Sequence, residues 1–311
     1  MAWGKKMENV KTVLKKKKKI WNKEAIIVAC IFILPVAVRI FFTNYYVSFE
    51  SLLYSFFKYD YSKPTNSTFV GLQNYITILK SDMFWLQVKN TLTLYLMGLL
   101  LFPIPLIQAI FLNEITKGHK LLRFLYVVPC GLPAMAGYSV WTYIWNPEVG
   151  VANVLMEALG LARQTWLSDP QLIKWCLTIP GMVGGGMGVL TYLVVIQGVN
   201  PSLYEAAKVD GATSWQQVWY ITLPNIMYYI SISFVLGLTG MFSSFDGPYI
   251  MTNGTGGVEH SAETVIMGVY NRAYDLMQYG QAMAMSVTIV LITLVVVIIS
   301  QILKKRIERN D

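Results

Sequence analysis

Few residues in this sequence of 311 have the type and spacing for chemistry. The three cysteines, Cys30, Cys130 and Cys176, each sit in an apolar stretch and make no CxxC pair, so neither a disulfide framework nor a zinc site is indicated. The two histidines, His119 and His260, are far apart and offer little to a multi-histidine metal centre. No GxxxxGKS or GxxxxGKT phosphate loop occurs, so this chain does not hydrolyse ATP by that route. The glycine-rich run Gly181-Met-Val-Gly-Gly-Gly-Met-Gly188 fails the GxGxxG spacing and follows no strand. Its Gly181xxxGly185 and Gly184xxxGly188 pairs instead make a smooth surface for another helix to approach in lipid. No nucleophile elbow, HExxH or carboxylate pair in a catalytic context is present. The chain carries no catalytic constellation, no metal site and no cofactor site of its own.

One polar segment has an ordered pattern, Asn200-Pro-Ser-Leu-Tyr-Glu-Ala-Ala-Lys-Val-Asp-Gly-Ala-Thr-Ser-Trp-Gln-Gln-Val-Trp-Tyr-Ile-Thr-Leu-Pro224. It reads as two short helices joined by a turn. Pro201 suits a first helical turn, Ser202 and Glu205 have capping-box spacing, and Gly211 can take the left-handed conformation that ends a helix. Thr213 with Gln216, or Ser214 with Gln217, offers a second capping box. Trp215, Val218 and Trp219 recur at i, i+3, i+4 opposite Gln216 and Gln217, which makes the second helix amphipathic. Pro224 is expected to stop it. Such an apolar ridge suits either the lipid headgroup layer or a groove on a partner protein.

The elements that hold this segment are membrane spans. The chain is 55% hydrophobic and only 14% charged, with mean hydropathy +0.47. A soluble domain carries about 25% charge, so a disordered or nucleic-acid-coating protein is excluded. A bilayer core about 30 Å thick needs roughly 20 apolar helical residues. Six segments reach that length: Ala25–Thr43, Leu86–Phe111, Leu121–Ile144, Leu172–Gln197, Thr222–Ser243 and Ala282–Leu303. The first is read as a retained helix, since its apolar run is long and no small-x-small cleavage site follows. Seventeen Lys and Arg fall on one side of these spans, nine of them in the first 24 residues, against seven on the other. Both termini and the segment 200–224 are therefore expected to be cytoplasmic. The lysine run Lys15 to Lys19 is read as a topology anchor beside anionic headgroups, not a nucleic-acid patch. Arg39, near the outer end of its span, can snorkel to the interface. Tyr45, Tyr46, Trp141, Tyr143 and Trp145 fit an aromatic belt.

The spacing Glu205-Ala206-Ala207, three residues, Gly211, nine residues, Ile221, one residue, Leu223-Pro224 resembles the signature of the integral membrane subunits of bacterial binding-protein-dependent ABC importers. The resemblance implies a type I importer permease fold, all-α and polytopic with six transmembrane helices. It also implies that this loop forms coupling helices seated in a cleft of a separate ATPase subunit, with Leu203, Glu205, Ala206, Ala207, Asp210, Gly211 and Trp215 as the coupling residues. Glu205 and Asp210 would make polar contacts, Leu203, Ala207 and Trp215 would pack, and Gly211 would set the angle between the helices. Ser243-Ser-Phe-Asp-Gly-Pro-Tyr-Ile-Met-Thr-Asn-Gly-Thr-Gly-Gly257 is similar to a stretch of carbohydrate importers of the maltose-permease type. So are Phe69-Val-Gly-Leu-Gln-Asn-Tyr75 with Phe84-Trp85 and Asn90-Thr91, and Gly280-Gln-Ala-Met-Ala-Met-Ser286. The chain departs from that pattern in lacking a proline after the paired glycines, where it carries Glu259-His260, and in lacking the long extracytoplasmic domain of the maltose protein. The partners implied are a second homologous permease subunit, two ATPase subunits that use ATP and Mg, and an extracytoplasmic solute-binding protein, all around a lipid bilayer and with no nucleic acid.

The domain organisation expected is a basic N-terminal segment at 1–24, a first helix and extracytoplasmic loop at 25–85, a permease domain of five helices at 86–303 containing the coupling loop 200–224, and a tail at 304–311. Sugars are held by aromatic faces and hydroxyl-directed hydrogen bonds. Tyr138, Trp141, Tyr192, Tyr228, Ser243, Ser244 and Asp246 are therefore the candidates for the solute path, Asp246 being the least comfortable in lipid. A dedicated phosphate or carboxylate site, as an importer of glycerol phosphate would need, calls for an Arg or Lys on the path, and beyond Arg39 none is evident. An ATP-independent secondary transporter would carry ionisable relay residues at mid-membrane, and apart from Arg39 and the peripheral Asp246 the spans hold almost none. A membrane enzyme is disfavoured by the missing constellation.

Overall fold

Apolar sequence at helical spacing dictates most of what is seen in the computed structural model, which describes residues 23–115, 117–183, 186–240 and 242–307. The basic N-terminal run from Lys5 to Lys19, Gly184 and Gly185 of the glycine run, and Arg309 lie outside the described residues. The chain divides into two compact units, the first ending at Leu53 and the second beginning at Tyr54.

The first unit is a helical rod. Helix α1 (Lys23–Ile40) passes through a π-helical stretch (Phe41–Tyr46) into α2 (Val47–Tyr54). The apolar run Ile27–Tyr54 has mean hydropathy 2.1, and no residue in its apolar window is buried within the chain. Its outward side chains, such as Ile31 and Phe32 at 62% and 73% exposure, are what lipid, not water, would cover. The expected span ended at Thr43, but the helix continues beyond it. Side chains sustain it locally, Tyr46 donating to Glu50 Oε1 at 2.8 Å and Ser51 to the Val47 carbonyl at 2.8 Å.

In the second unit a two-residue antiparallel ladder, β1 (Phe57–Lys58) with β2 (Thr68–Phe69), is the one strand pairing among the described residues. Then follow α3 (Gln73–Leu79), α4 (Asp82–Leu101), α5 (Pro103–Glu114), α6 (His119–Val127), α7 (Ala134–Ile144), α8 (Val151–Ala158), α9 (Ile173–Val183), α10 (Gly186–Gln197), α11 (Pro201–Val209), α12 (Ser214–Gln217), α13 (Leu223–Thr239), α14 (Asp246–Met251), α15 (Val265–Tyr274) and α16 (Tyr279–Ile307).

Among the described residues four stretches are long and apolar enough to cross a membrane: Ile27–Tyr54, Asp82–Glu114, Ser214–Gly237 and Tyr279–Ile299. Two more qualify only as bent pairs, α6 with α7 at 102° and α9 with α10 at 41°. Counting each bent pair as one crossing gives the expected six. The third span, expected at Leu121–Ile144, is therefore bent and not one continuous helix. Pro129 and Pro133 remove two backbone donors within five residues, and the chain leaves helix at Leu132.

Within the second unit α10 packs on α5 and α6, α4 on α9 and α15, and α16 on α3, α13 and α15. Gly186 allows the closest of these approaches, since a Cβ there would overlap the Tyr126 carbonyl of α6. Neither of the expected GxxxG pairs contains it. Trp141 and Trp145 also differ from a membrane belt. Trp145 is 6% exposed and lies between Trp141, stacked at 5.7 Å, and Trp166 at 5.0 Å, in a cluster with Ala152, Cys176 and Met251.

Candidate coupling loop and solute path

The loop 200–224 is built by local hydrogen bonds that its residue types dictate. Asn200 is the N-cap of α11, its Oδ1 accepting from the Ser202 amide at 3.1 Å, with Pro201 in the first turn. The Ser202–Glu205 capping box expected there is replaced by this cap. Glu205 is consequently exposed, and neither it nor Asp210 has a side-chain partner among the described residues. The helix ends as expected at Gly211, whose φ of +79° carries the chain across to Ala212, and the Ala212 amide donates back to the Ala207 carbonyl at 2.8 Å.

The second capping box forms with Thr213. The Gln216 amide donates to Thr213 Oγ1 at 3.3 Å and the Thr213 amide donates to Gln216 Oε1 at 2.8 Å. The expected stop at Pro224 is corrected: α12 runs through a π-helical turn at Val218–Thr222 directly into α13. The wider turn accommodates the donor that Pro224 lacks and the bulk of its ring, so the coupling segment and the following span are one continuous rod.

The π turn also resets which face is inside. Gln217, on the face expected to be polar and outward, is buried at 8% exposure and donates from Nε2 to the Ala212 carbonyl at 3.0 Å. Trp215 and Trp219 are 67% and 52% exposed, packed edge to face at 5.8 Å. Leu203, Ala206 and Val209 are exposed as well, and Ala207 is half-buried. Tyr204 Oη and Thr222 Oγ1, 3.0 Å apart, tie α11 to the π turn. Tyr204 and Thr222 were not singled out in the sequence, and Gln217 was expected on the polar face. A glutamine buried by a bond to the carbonyl of Ala212 gives no periodic signal.

The seven solute-path candidates are distributed over several places. Tyr192 lines a hollow of about 330 Å³ with Gly98, Phe102, Pro105, Thr178 and Ser233, and meets Tyr229 edge to face at 5.2 Å. Ser244 lines a neighbouring hollow of about 320 Å³ with Thr91, Tyr95, Phe234 and the same Gly98 and Phe102. These two hollows share the α4 wall and form the candidate path. Ser243 borders a third, of about 620 Å³, whose walls include Phe245, Tyr270, Tyr274 and Tyr279. Tyr138 packs over Gly247 beside exposed Asp246, the first residue of α14. Trp141 belongs to the tryptophan stack, and Tyr228, 75% exposed, lines none of the three hollows.

A buried polar centre that the sequence did not reveal holds the wall of this path. Glu263, 3% exposed, accepts from Gln87 Nε2 at 2.8 Å and Asn271 Nδ2 at 3.2 Å, and pairs with His260 Nδ1 at 2.7 Å. Asn90 Nδ2 donates to the His260 and Glu263 carbonyls at 2.8 and 3.1 Å, and the Val265 amide donates to Thr91 Oγ1 at 3.0 Å. The loop after α14 is thereby pinned to α4. Burial pulls the Arg272 guanidinium below its ordinary range, and the nearby Glu263 carboxylate offsets part of that pull. Glu259 and His260, which stand where the family pattern has proline, both have left-handed backbone at φ 54° and 56°. Among the described residues no three His, Cys, Asp or Glu gather as a metal site would require.

Residues 102–310 match the family described as the binding-protein-dependent transport system inner membrane component. The lactose transport system permease protein LacF of Rhizobium radiobacter is 28% identical over 236 residues, covering 73% of this chain and 78% of its own. The trehalose/maltose transport system permease protein MalF of Thermococcus litoralis is 29% identical over 222 residues, covering 70% and 74%. A chain in the crystal structure of a bacterial alginate ABC transporter, in complex with alginate pentasaccharide-bound periplasmic protein, superposes with a TM-score of 0.79 at 25% identity, over 90% of this chain and 94% of that one. The matched region contains the coupling loop and both hollows of the candidate path, except the part of their walls from α4 that precedes residue 102. The chain therefore belongs to the family of inner membrane components of binding-protein-dependent transport systems, and is a transport permease subunit.

Proposed function

We propose that this permease imports a saccharide or oligosaccharide delivered by an extracytoplasmic binding protein, as one of two permease subunits coupled to two cytoplasmic ATPases. The observation that carries the reading is the coupling loop. A rigid helix–turn–helix, locked by Tyr204–Thr222 and Gln217–Ala212, presents an unpartnered ridge of Leu203, Val209, Trp215 and Trp219, and it is continuous with a spanning helix. A displacement of the ridge by an ATPase would be transmitted along the α12–α13 rod to Phe234 and Ser233, which line the two central hollows. ATP and Mg would be used by the partner ATPase, and this chain's own residues would bind, pack and move. Such coupling requires one two-state element biased at both ends.

The saccharide assignment is supported by the likeness to the lactose and trehalose/maltose permeases and to the alginate transporter. It is also supported by hollows walled with tyrosine, phenylalanine and hydroxyl groups and almost no charge. Leu203, Glu205, Ala206, Ala207, Asp210, Gly211 and Trp215 are assigned to the ATPase contact. Tyr192 and Ser244 are favoured for solute contact over Tyr138, Trp141, Tyr228, Ser243 and Asp246. The basic excess on the side of the loop 200–224 supports a cytoplasmic position for that side and for both termini. Reconstitution with co-purifying partners and a binding protein, followed by a saccharide screen for stimulated ATPase activity, tests the reading. At least one saccharide is expected to stimulate, and failure to co-purify any ATPase subunit overturns it.

A further inference from the structure

A fourth hollow, of about 400 Å³, lies between β1, α3 and the start of α16, at the end of the bundle away from the coupling loop. Its size falls within the usual range of small-molecule pockets, about 300–1,000 Å³. Its lining differs in kind from that of the two central hollows. Gln73, Gln278, Gln281 and Lys58 contribute amide and ammonium groups, and Tyr59 and Tyr279 contribute rings. None of those three side-chain amides nor the Lys58 ammonium has a hydrogen-bond or ion-pair partner among the described residues, although the side-chain amides can both donate and accept.

The frame behind them is fixed. Asn74, 7% exposed, donates from Nδ2 to the Ser55 and Phe57 carbonyls at 2.8 and 2.9 Å. Met277 takes a left-handed φ of 55°, and the Gln278 amide donates to the Arg272 carbonyl at 2.7 Å, which sets Gln278 at the rim. Tyr61 stacks on Tyr279 at 5.3 Å, and Tyr279 also walls the larger aromatic hollow of Tyr270 and Tyr274. Amide groups held beside aromatic faces suit a hydroxyl-rich ring. The hydroxyls find partners that both donate and accept, and the C–H face lies on a ring. An anionic headgroup would meet only one cation here, Lys58, and an apolar ligand would strand three amides.

We propose that this hollow is a saccharide-binding subsite that holds one end of an oligosaccharide on the face opposite the coupling loop, separate from the central path. The choice of a saccharide rests on the transport reading above. The test uses the full transporter in nanodiscs without binding protein, with maltotetraose and an alginate pentasaccharide as probes read by saturation-transfer NMR. Transfer from one probe is expected, with affinity falling about tenfold in Gln278→Ala/Gln281→Ala, the loss of one to two hydrogen bonds, and an unchanged unfolding temperature. A second variant guards against misfolding. Gln278→Cys, in a Cys30→Ser/Cys130→Ser background, is labelled with a bulky maleimide after purification and is expected to lose the transfer signal. No transfer from either probe, unchanged affinity in the double variant and in the labelled protein, or displacement of the probe by glycerophosphoglycerol in place of sugar each overturns the proposal. Saccharide-stimulated ATPase activity in the presence of binding protein is the separate readout. If it persists while the subsite fails, the transport reading stands. If it is absent for every saccharide, the transport reading has failed.

Discussion

Gly211 is the one residue of the loop 200–224 with a left-handed backbone. An added Cβ would meet no atom within 4 Å, so space is not the constraint, and the φ of +79° is. A β-branched residue there costs about 1–2 kcal/mol locally and pushes α11 to a new angle. Gly211→Val is expected to leave a membrane-inserted, folded protein whose uptake falls at least tenfold. Wild-type uptake and ATPase stimulation in that variant would remove the glycine from the coupling device. Glu263 is the opposite case, a residue held by its surroundings. Glu263→Ala leaves Gln87, Asn271 and His260 without their shared acceptor and Arg272 without a nearby carboxylate. Breaking a buried charged network costs about 3–5 kcal/mol, and Glu263→Gln, which keeps an acceptor oxygen, is expected to cost less. Unfolding of the detergent-solubilised protein, followed by tryptophan fluorescence, ranks the two. Gly211 was legible in the sequence because a motif spacing fixes its place. Glu263 was not, because its partners come from α4 and α15, some 176 and 8 residues away.

At the scale of elements, the rod formed by α12, the π turn and α13 joins the loop to the central hollows. The bond between Tyr204 and Thr222 makes α11 part of that rod. Tyr204→Phe and Thr222→Val should each cost about 1 kcal/mol, with a double-mutant cycle showing them strongly non-additive. The informative measurement is the number of ATP molecules hydrolysed per solute imported, which is expected to rise in both variants as α11 loosens. An unchanged ratio would mean the bond only stiffens the loop. The bend between α6 and α7 and the contact of α6 with α10 are likewise set by a few residues. Gly186→Leu places a side chain where the Tyr126 carbonyl lies. The variant is expected to elute as aggregate on size exclusion, because neither helix backbone can move aside without breaking its own hydrogen bonds. The length of the apolar runs located both elements, whereas the bend and the close approach depend on prolines and a glycine whose effect is tertiary.

At the scale of the molecule, the coupling loop exposes tryptophan on the same chain that buries Trp145 completely enough to form a core. Tryptophan is disproportionately a binding hot spot, so Trp215→Ala with Trp219→Ala is expected to weaken co-purification of the ATPase at least tenfold without changing membrane insertion. Equal recovery of ATPase would leave the ridge without a partner role. The amino-acid sequence by itself determined that this is a helical membrane protein, because composition and runs of about 20 apolar residues admit no other economical structure in a bilayer. It also determined the two short helices of the loop 200–224 and the turn between them, because caps, turn glycine and motif spacing are local features. Only the tertiary structure decided which Tyr and Ser residues meet at the α4 wall, that Gln217 turns inward, that Pro224 does not end its helix, and that Glu263 anchors the outer loop. In helices apolar on every side, periodicity does not distinguish the face that meets lipid from the face that meets another helix. That distinction arises when the helices pack, and with it the position of any solute path.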